Sequence, residues 1–373
     1  MNIAVVGGGA AGLFLTKKLS EDPSAHIYLF EKQKKIGTKV KASCGGKANI
    51  LNTYIVPKHY NNPTFMSRFL QQVNSQDLLA EFEKMGLKTI EDEEHRVFPV
   101  TLFSENVVNV LIEGFSNKVK ILTETPVQEI THTQNHWKIN GLDIPFDKVI
   151  LATGSPAGMR LDKQKNYNAL ISSLSLKFNT LQPSLVGFKL QNHPTDLFGC
   201  RTRAIVSLYQ NQNLLLKEKG EVVFKEDGIS GIVILNCSAY YNRLANKRNC
   251  HLSLNFLYDD ENYDIQQHWQ RHHSFAGLLH PKLYALYQKH PFDLRNFKLK
   301  IENTYDMESA QVAHGGIDLS EIDEHFQLKK YPGIYAIGEA LDIDGVCGGY
   351  NLFFAFASAC LSSKYILNGH TNL

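Results

Sequence analysis

Apolar residues form uninterrupted runs near both ends of the chain and short, turn-separated runs in its middle. Asn2-Ile3-Ala4-Val5-Val6 has no polar alternation, the pattern of a parallel strand buried on both faces. It leads into Gly7-Gly8-Gly9-Ala10-Ala11-Gly12 and then Leu13 to Leu19, whose apolar spacing predicts a helix packed on a sheet. After a Pro23-Ser24 turn, His26 to Phe30 predicts a second strand ending at Glu31. Residues 32–63, rich in Lys, Gly and Asn, read as a long loop; residues 64–88 carry helical periodicity, and Val107 to Phe115 predicts a further helix. Short strands are expected at Lys120–Leu122, Val127–Ile130, Trp137–Ile139 and Lys148–Ala152.

The texture changes near Pro183. Leu185–Leu190, Arg203–Leu208, Leu214–Lys217 and Glu221–Phe224 are short strands separated by turns, as in a small β-barrel or sandwich. Residues 262–297 read as helical and rich in aromatics and histidines. Near residue 311 the chain returns to glycine-rich loops, a last strand at Gly333 to Ile337, and a final helix starting near Asn351. The expected architecture is α/β: a discontinuous nucleotide-binding domain (1–183 and 311–373), an inserted β-barrel-like domain (184–255) and a small helical lobe (256–310).

Composition narrows the function classes. At 373 residues, 43% hydrophobic and 20% charged, the chain is an ordinary globular protein rather than a fibrous or disordered one. Thirty-nine basic against 37 acidic side chains leave a formal charge of +2, so there is no global field for nucleic acid. No apolar run approaches the roughly 18 residues that a membrane span needs. No signal-peptide pattern opens the chain, and the six cysteines show no CxxC or metal-ligand spacing. A reduced, cytoplasmic protein is expected, without a metal and without a membrane partner.

The chemistry is carried first by Gly7-x-Gly9-x-x-Gly12, placed between a strand and a helix. The first glycine permits the turn, the second lets a pyrophosphate reach the backbone, and the third lets helix and strand approach closely. Glu31 lies 19 residues after Gly12, where a carboxylate accepts from an adenosine ribose diol. This unit alone separates neither FAD from NAD. Four further segments favour FAD, a long molecule that draws on distant parts of a chain. They are Ser43-Cys44-Gly45-Gly46-Lys47-Ala48-Asn49, the strand ending in Ala152-Thr153-Gly154, the strand ending in Gly338-Glu339, and Cys347-Gly348-Gly349-Tyr350-Asn351-Leu352.

With these residues in view, the chain resembles the BaiN/YhiN-like flavoproteins, a family of NAD(P)/FAD-dependent oxidoreductases that includes aminoacetone-oxidase-like members. The resemblance runs from Val5 to Gly12 through Glu31-Lys32, Gly37-x-Lys39, Ser43-x-Gly45-Gly46-Lys47-x-Asn49-x-x-Asn52, Arg96 to Pro99, Gly220 to Phe224 and Gly228 to Gly231. Its longest stretch is Gly338 to Leu352. It implies a glutathione-reductase-like FAD domain interrupted by a β-barrel and a small helical lobe. The chain departs from the family pattern at Thr38, Cys44, Lys47, Ala48, Ala313 and Phe353, after Gly154, and at Lys225-Glu226-Asp227. Cofactor binding rests mainly on backbone and survives these changes; the substrate-side chemistry does not carry over.

The expected cofactor set places Gly7, Gly9, Gly12 and Glu31 on the ADP half. Lys39, Gly45, Gly46 and Asn49 line the middle with Ala152, Thr153 and Gly154, and Glu339, Gly349, Asn351 and Leu352 serve the ribityl chain and ring. Ala10, Ala11, Lys32, Ser43, Val127, Gly338 and Tyr350 complete it. Tyr350 and His314 are the candidates for an acid or base, because both fall in loops expected near the ring. Cys44 and Cys347 read as buried, inert thiols rather than a redox pair. His268, His272 and His273 read as a polar helix face, the lysines between 32 and 47 as largely solvated, and the aromatics from Phe256 to Phe297 as a small core. The expected activity is hydride transfer between a small organic molecule and flavin N5, with NAD(P)H as a transient donor. A flavin-dependent amine oxidase, a non-catalytic redox sensor and an RNA-modifying enzyme stay open as alternatives.

Overall fold

In the computed structural model, residues 1–133, 136–158, 170–171, 173–258 and 262–368 are described. The chain divides into two units, Met1–Leu181 with Val312–Leu373, and Gln182–Gln311.

The first unit opens with β1 (Asn2–Val6), α1 (Ala10–Leu19) and β2 (His26–Phe30). Next come α2 (Thr38–Ala42), β3 (Leu51–Asn52), α3 (Pro63–Phe69), α4 (Ser75–Lys84), β4 (Thr89–Glu91), β5 (Arg96–Pro99) and α5 (Ser104–Ile112). They are followed by β6 (Val119–Leu122), β7 (Ile130–Thr133), β8 (His136–Ile139), β9 (Lys148–Leu151) and β10 (Phe178–Ser184). The second unit holds β11 (Phe188–Leu190), β12 (Arg201–Gln210), β13 (Asn213–Phe224), β14 (Gly228–Ser230) and α6 (Ile232–Asn242). It continues with β15 (Cys250–Asn255), α7 (Ile265–His272), α8 (Pro281–Lys289) and β16 (Phe297–Thr304). The chain then re-enters the first unit through β17 (Val312–Ile317), β18 (Ile334–Ala336) and α9 (Tyr350–Asn368).

The central sheet has the order β18-β9-β1-β2-β6, and every pair is parallel. Its strands are near-continuous apolar runs because both faces are covered, and Ile3, Val5, Val149 and Ile334 are fully buried. Three rings tie the helices together: Phe14 of α1, Phe82 of α4 and Phe356 of α9, with centroids 5.0–5.6 Å apart and Phe82 edge-on to the other two.

The second unit is a closed six-stranded barrel, β11-β14-β13-β12-β15-β16, which replaces the looser expectation of a barrel or sandwich. Ala204, Val206 and Leu208 of β12 face a core shared with Val222, Leu252, Leu254 and Ile234. The aromatics after Phe256 do form a small core: Phe256, Phe292, Phe297 and Tyr287 make successive ring contacts. His268 is engaged at both nitrogens, by the Tyr263 hydroxyl (2.7 Å) and the Ser274 carbonyl (2.9 Å), which keeps it inside that lobe.

Several expected boundaries move. Residues 64–88 are two helices, because Asn74 and Asp77 form a reciprocal capping box that starts α4 afresh. Val127 lies before the strand that begins at Ile130. Leu185, at φ +52°, breaks the run expected as one strand from 185 to 190. Leu214–Lys217 and Glu221–Phe224 are one strand: Gly220 is not a turn but the place where Val233 of α6 crosses, only 2.5 Å from where a Cβ would sit. The stretch read as helical to residue 297 ends in β16, the strand that closes the barrel. Among the described residues, no helix is long and apolar enough to cross a membrane.

Candidate functional site

The turn after β1 is shaped by two glycines and left open at a third. A Cβ on Gly7 (φ +113°) would stand 2.2 Å from the Ala152 carbonyl oxygen, and one on Gly12 would stand 1.9 Å from the Gly7 oxygen. These contacts hold α1 hard against the ends of β1 and β9. A Cβ on Gly9 would meet nothing within 4 Å. Gly9 caps α1 with extended backbone, no side chain caps it, and the first turn carries no acid. The amides of Ala10 and Ala11 therefore open a helix N-terminus onto free space, which suits a phosphate.

Glu31 stands at the end of β2 and is fixed in place. Its Oε2 accepts from the Gly8 amide at 2.9 Å and its Oε1 from the Gln33 amide at 2.8 Å. The segment that carries Val127 runs past it, since the Thr125 amide donates to the Glu31 carbonyl. Val127 is buried there and Lys32 is half-buried.

The middle of the site is organised by Glu339. Its Oε2 lies 2.8 Å from Lys39 Nζ, and its Oε1 accepts from Ser155 Oγ (2.7 Å) and from the Ala313 amide (3.2 Å). Lys39 sits on α2, which docks on the glycine turn through the Gly37 amide and the Gly8 carbonyl, 2.7 Å apart. Gly154, in the left-handed region at φ +64°, leaves Glu339 Oε2 3.7 Å from where its Cβ would be. Gly338 donates its amide to Ser358 Oγ and stands against Ala11, so the last strand and α1 meet at the same point. Beside them, Thr153 Oγ1 is buried without a hydrogen-bond partner. A buried orphan hydroxyl is costly, and a polar ligand group at this point removes that cost.

At the far end, Ser43 Oγ donates to the Val40 carbonyl, and Cys44, Gly45 and Gly46 follow with φ of 48°, 62° and 89°. A Cβ on Gly45 or Gly46 would again meet open space. Asn49 is buried; with its amide oriented to satisfy both groups, it donates to the Leu51 carbonyl (2.9 Å) and accepts from the Gly349 amide (3.1 Å). Gly349 admits no side chain, since a Cβ would lie 2.5 Å from the Leu51 carbonyl carbon. Asn351 braces the loop before α9, accepting from the Gly345 amide and donating to the Gly345 carbonyl. Leu352 follows, half-buried, in the first turn of α9.

The two candidates for proton transfer differ in setting. Tyr350 is buried, with its ring edge-on to His59 and Tyr60 and its hydroxyl donating to the Tyr54 carbonyl at 3.3 Å. His314 of β17 follows the Ala313 amide that binds Glu339. Its Nδ1 lies 2.9 Å from Asp344 Oδ1 and 3.7 Å from Asp342 Oδ1. The Asp344 side chain is 1% exposed and that of His314 is 23% exposed. Asp342 is itself held by Asn61 Nδ2 (2.8 Å) and Asn179 Nδ2 (2.7 Å) and accepts from the Gly315 amide. The imidazole is thus anchored through Nδ1, while its Nε2 makes no hydrogen bond among the described residues. Asp342, Asp344, Asn61 and Asn179 were not singled out from the sequence. The Asp-x-Asp pattern inside the buried run Leu341 to Val346 was the available signal.

None of the six cysteines is in a disulfide; Cys44 is exposed and Cys347 half-buried, so neither is the buried thiol expected from the sequence.

The glycine turn, the fixed Glu31, the orphan Thr153 hydroxyl and the open left-handed loop at Gly45-Gly46 fit a long dinucleotide laid across the C-terminal ends of the parallel strands. Comparison with known proteins agrees. A protein of Clostridium scindens named 3-dehydro-bile acid delta(4,6)-reductase is 27% identical, over 97% of this chain and 98% of that protein. Proteins named ribosomal RNA dihydrouridine synthase are 24% identical in Escherichia coli (95% of both chains) and 26% identical in Haemophilus influenzae (95% of this chain, 96% of that one). The model of the HI0933-like protein Rossmann domain matches residues 1–365. With the parallel sheet, the cradle and the inserted barrel in place, the chain belongs to the HI0933-like Rossmann flavoproteins, oxidoreductases built on an FAD-binding domain.

Proposed function

We propose that this chain is an FAD-dependent reductase that saturates a carbon–carbon double bond conjugated to a carbonyl in an organic acceptor. The observation that carries this reading is the His314–Asp344 pair, whose histidine shares β17 with the Ala313 amide bound to Glu339 in the cofactor cradle. FAD held in this cradle would supply the hydride chemistry, with NAD(P)H as the source of electrons. The protein's residues do the rest. The N-terminus of α1 and Lys39 bind the pyrophosphate, and Glu31 accepts from the adenosine ribose. Thr153 and Glu339 hold hydroxyls of the chain between phosphate and ring.

His314 Nε2 delivers the proton that the α-carbon gains, and the buried Asp344 carboxylate fixes the imidazole's orientation through Nδ1. Water restores that proton, so one hydride and one proton enter the product. The names of the relatives support the direction of reaction. One is named for reducing a steroid at Δ4,6, and dihydrouridine is uridine with one ring double bond saturated.

Anaerobic stopped-flow mixing of the yellow protein with NADH and NADPH tests the reading. Rapid bleaching, with colour returned faster by a conjugated enone or by uridine-containing RNA than by air, is the expected result. Absence of bleaching by either nicotinamide, with fast reoxidation by air after dithionite, overturns it in favour of an amine oxidase.

A further inference from the structure

His314 faces two carboxylates and binds one of them. Its Nδ1 lies 2.9 Å from Asp344 Oδ1 but 3.7 Å from Asp342 Oδ1, although the two acids belong to the same short run of chain. Charge does not make the choice, since both partners are carboxylates. It follows instead from which lone pairs are already taken. A carboxylate oxygen has about two acceptor sites. Two donors already lie on Asp342 Oδ1, Asn61 Nδ2 at 2.8 Å and the Gly315 amide at 3.1 Å, while Oδ2 accepts from Asn179 Nδ2 at 2.7 Å.

Asn61 serves both acids at once. Its Nδ2 also donates to the Asp342 carbonyl at 3.2 Å, and its Oδ1 accepts from the Asp344 amide at 3.1 Å. These partners fix which way the amide points, because a carboxylate only accepts and a backbone N–H only donates. The backbone that carries Asn61 is pinned on both sides. Its own amide donates to the Asp344 carbonyl at 3.0 Å, and Tyr60 before it bridges Gly345. The buried Tyr60 hydroxyl donates to the Tyr350 carbonyl at 2.9 Å, and Asn62 after it caps α3 by accepting from the Phe65 amide. The side chain of Asn61 is thus held on Asp342 from three directions.

We infer that Asn61 is a positioning residue that selects between two carboxylates: by filling Asp342 Oδ1 it leaves Asp344 as the acceptor for His314 Nδ1, and so aims Nε2. The inference deepens the function proposed above and rests on His314 as its proton donor. Without the Asn61 amide, Asp342 Oδ1 has an open site and draws the imidazole toward itself. A misplacement of about 1 Å costs a reacting group about 10²-fold.

The test is a cycle on the full-length yellow protein: parent, Asn61→Ala, Asp342→Asn and the double variant. In protein carrying isotope-labelled histidine and given no acceptor, NMR reads the His314 Nδ1 resonance, assigned by its loss in His314→Asn. Stopped-flow absorbance separately reads reoxidation of the reduced flavin by a conjugated enone. Asn61→Ala is expected to move the resonance and to slow reoxidation by about 10- to 100-fold. In the Asp342→Asn background the same change is expected to do neither, because a neutral amide oxygen competes poorly with the Asp344 carboxylate. Flavin content and melting temperature report folding. If Asn61→Ala loses either, Asn61→Asp takes its place in the cycle, since it keeps the shape and the acceptor for the Asp344 amide and lacks only the donor. An unmoved resonance, or an equal effect of the Asn61 change in both backgrounds, overturns the proposal. A moved resonance beside a reoxidation rate that neither the Asn61 change nor His314→Asn alters upholds the selection by Asn61 and overturns the proton-donor role of His314.

Discussion

Lys39 Nζ and Glu339 Oε2 lie 2.8 Å apart although 300 positions separate them in the chain. The pair closes the middle of the cradle, where a helix just after the second strand meets the loop after the last. Both side chains are partly exposed, so the pair contributes at most about 1 kcal/mol to folding. On the function proposed above, its role is to keep both groups aimed at the cofactor. Glu339→Gln and Lys39→Met are each expected to weaken FAD binding by about tenfold, or about 1.4 kcal/mol. The apoprotein's melting temperature should move by about 2 °C or less. Fluorescence titration of apoprotein with FAD, beside a thermal melt, checks both numbers.

Gly9 and Gly12 should fail in different ways. A side chain at Gly12 runs into the Gly7 backbone, so Gly12→Val costs folding stability and flavin together. At Gly9 an added Cβ meets no protein atom within 4 Å, and on the function proposed above it enters the space for the pyrophosphate. Gly9→Val is therefore expected to fold with near-parental melting as apoprotein, yet be purified colourless. A yellow Gly9→Val protein would mean that the pyrophosphate lies elsewhere.

His314→Asn should leave flavin content and bleaching by NAD(P)H unchanged while slowing reoxidation by a conjugated acceptor by about 10²–10⁴-fold, the usual contribution of a general acid. Asp344→Asn, which keeps the shape but weakens the hold on Nδ1, should slow the same step less and displace its pH profile. Tyr350→Phe should alter neither rate greatly, because that hydroxyl already donates to the Tyr54 carbonyl. Acceptor reoxidation that falls with Tyr350→Phe and not with His314→Asn would exchange the roles of the two residues.

Thiol chemistry offers a test of the fold itself. Burial pushes the Cys200 thiol up to about 11 and raises those of Cys237, Cys250 and Cys360 as well. With a disulfide reagent at neutral pH, Cys44 should react first and Cys347 more slowly, the other four only on denaturation. The raised thiols also set a sign: their contribution to stability is complete below about pH 9, where unfolded thiols are still protonated, and falls as pH rises toward the folded values. Chemical denaturation at pH 8 and pH 10 should show lower stability at the higher pH.

What the sequence disclosed follows from how local each feature is. Gly7, Gly9, Gly12 and Glu31 were legible because a tight turn between a strand and a helix is dictated by adjacent residues. The parallel strands were legible as apolar runs with no alternation. Gly220 misled because a glycine demanded by a crossing helix looks the same, in one dimension, as a glycine that makes a turn. The break before α4 was present as Asn74-x-x-Asp77 but was masked by continuous apolar periodicity. The Asp344 partner of His314 was not legible, since their contact exists only once β17 and the loop after Glu339 are brought side by side.

The strands that flank the inserted barrel, β10 and β17, pair with each other. A segment that departs and returns on hydrogen-bonded neighbours adds almost no closure entropy to the sheet that receives it. Residues 182–311 are in this sense a cassette. Selection can lengthen it, recharge its surface or exchange it for another while the electron-carrying half of the protein keeps its geometry. Lineages that share this flavin chemistry are then free to part company over what they act upon.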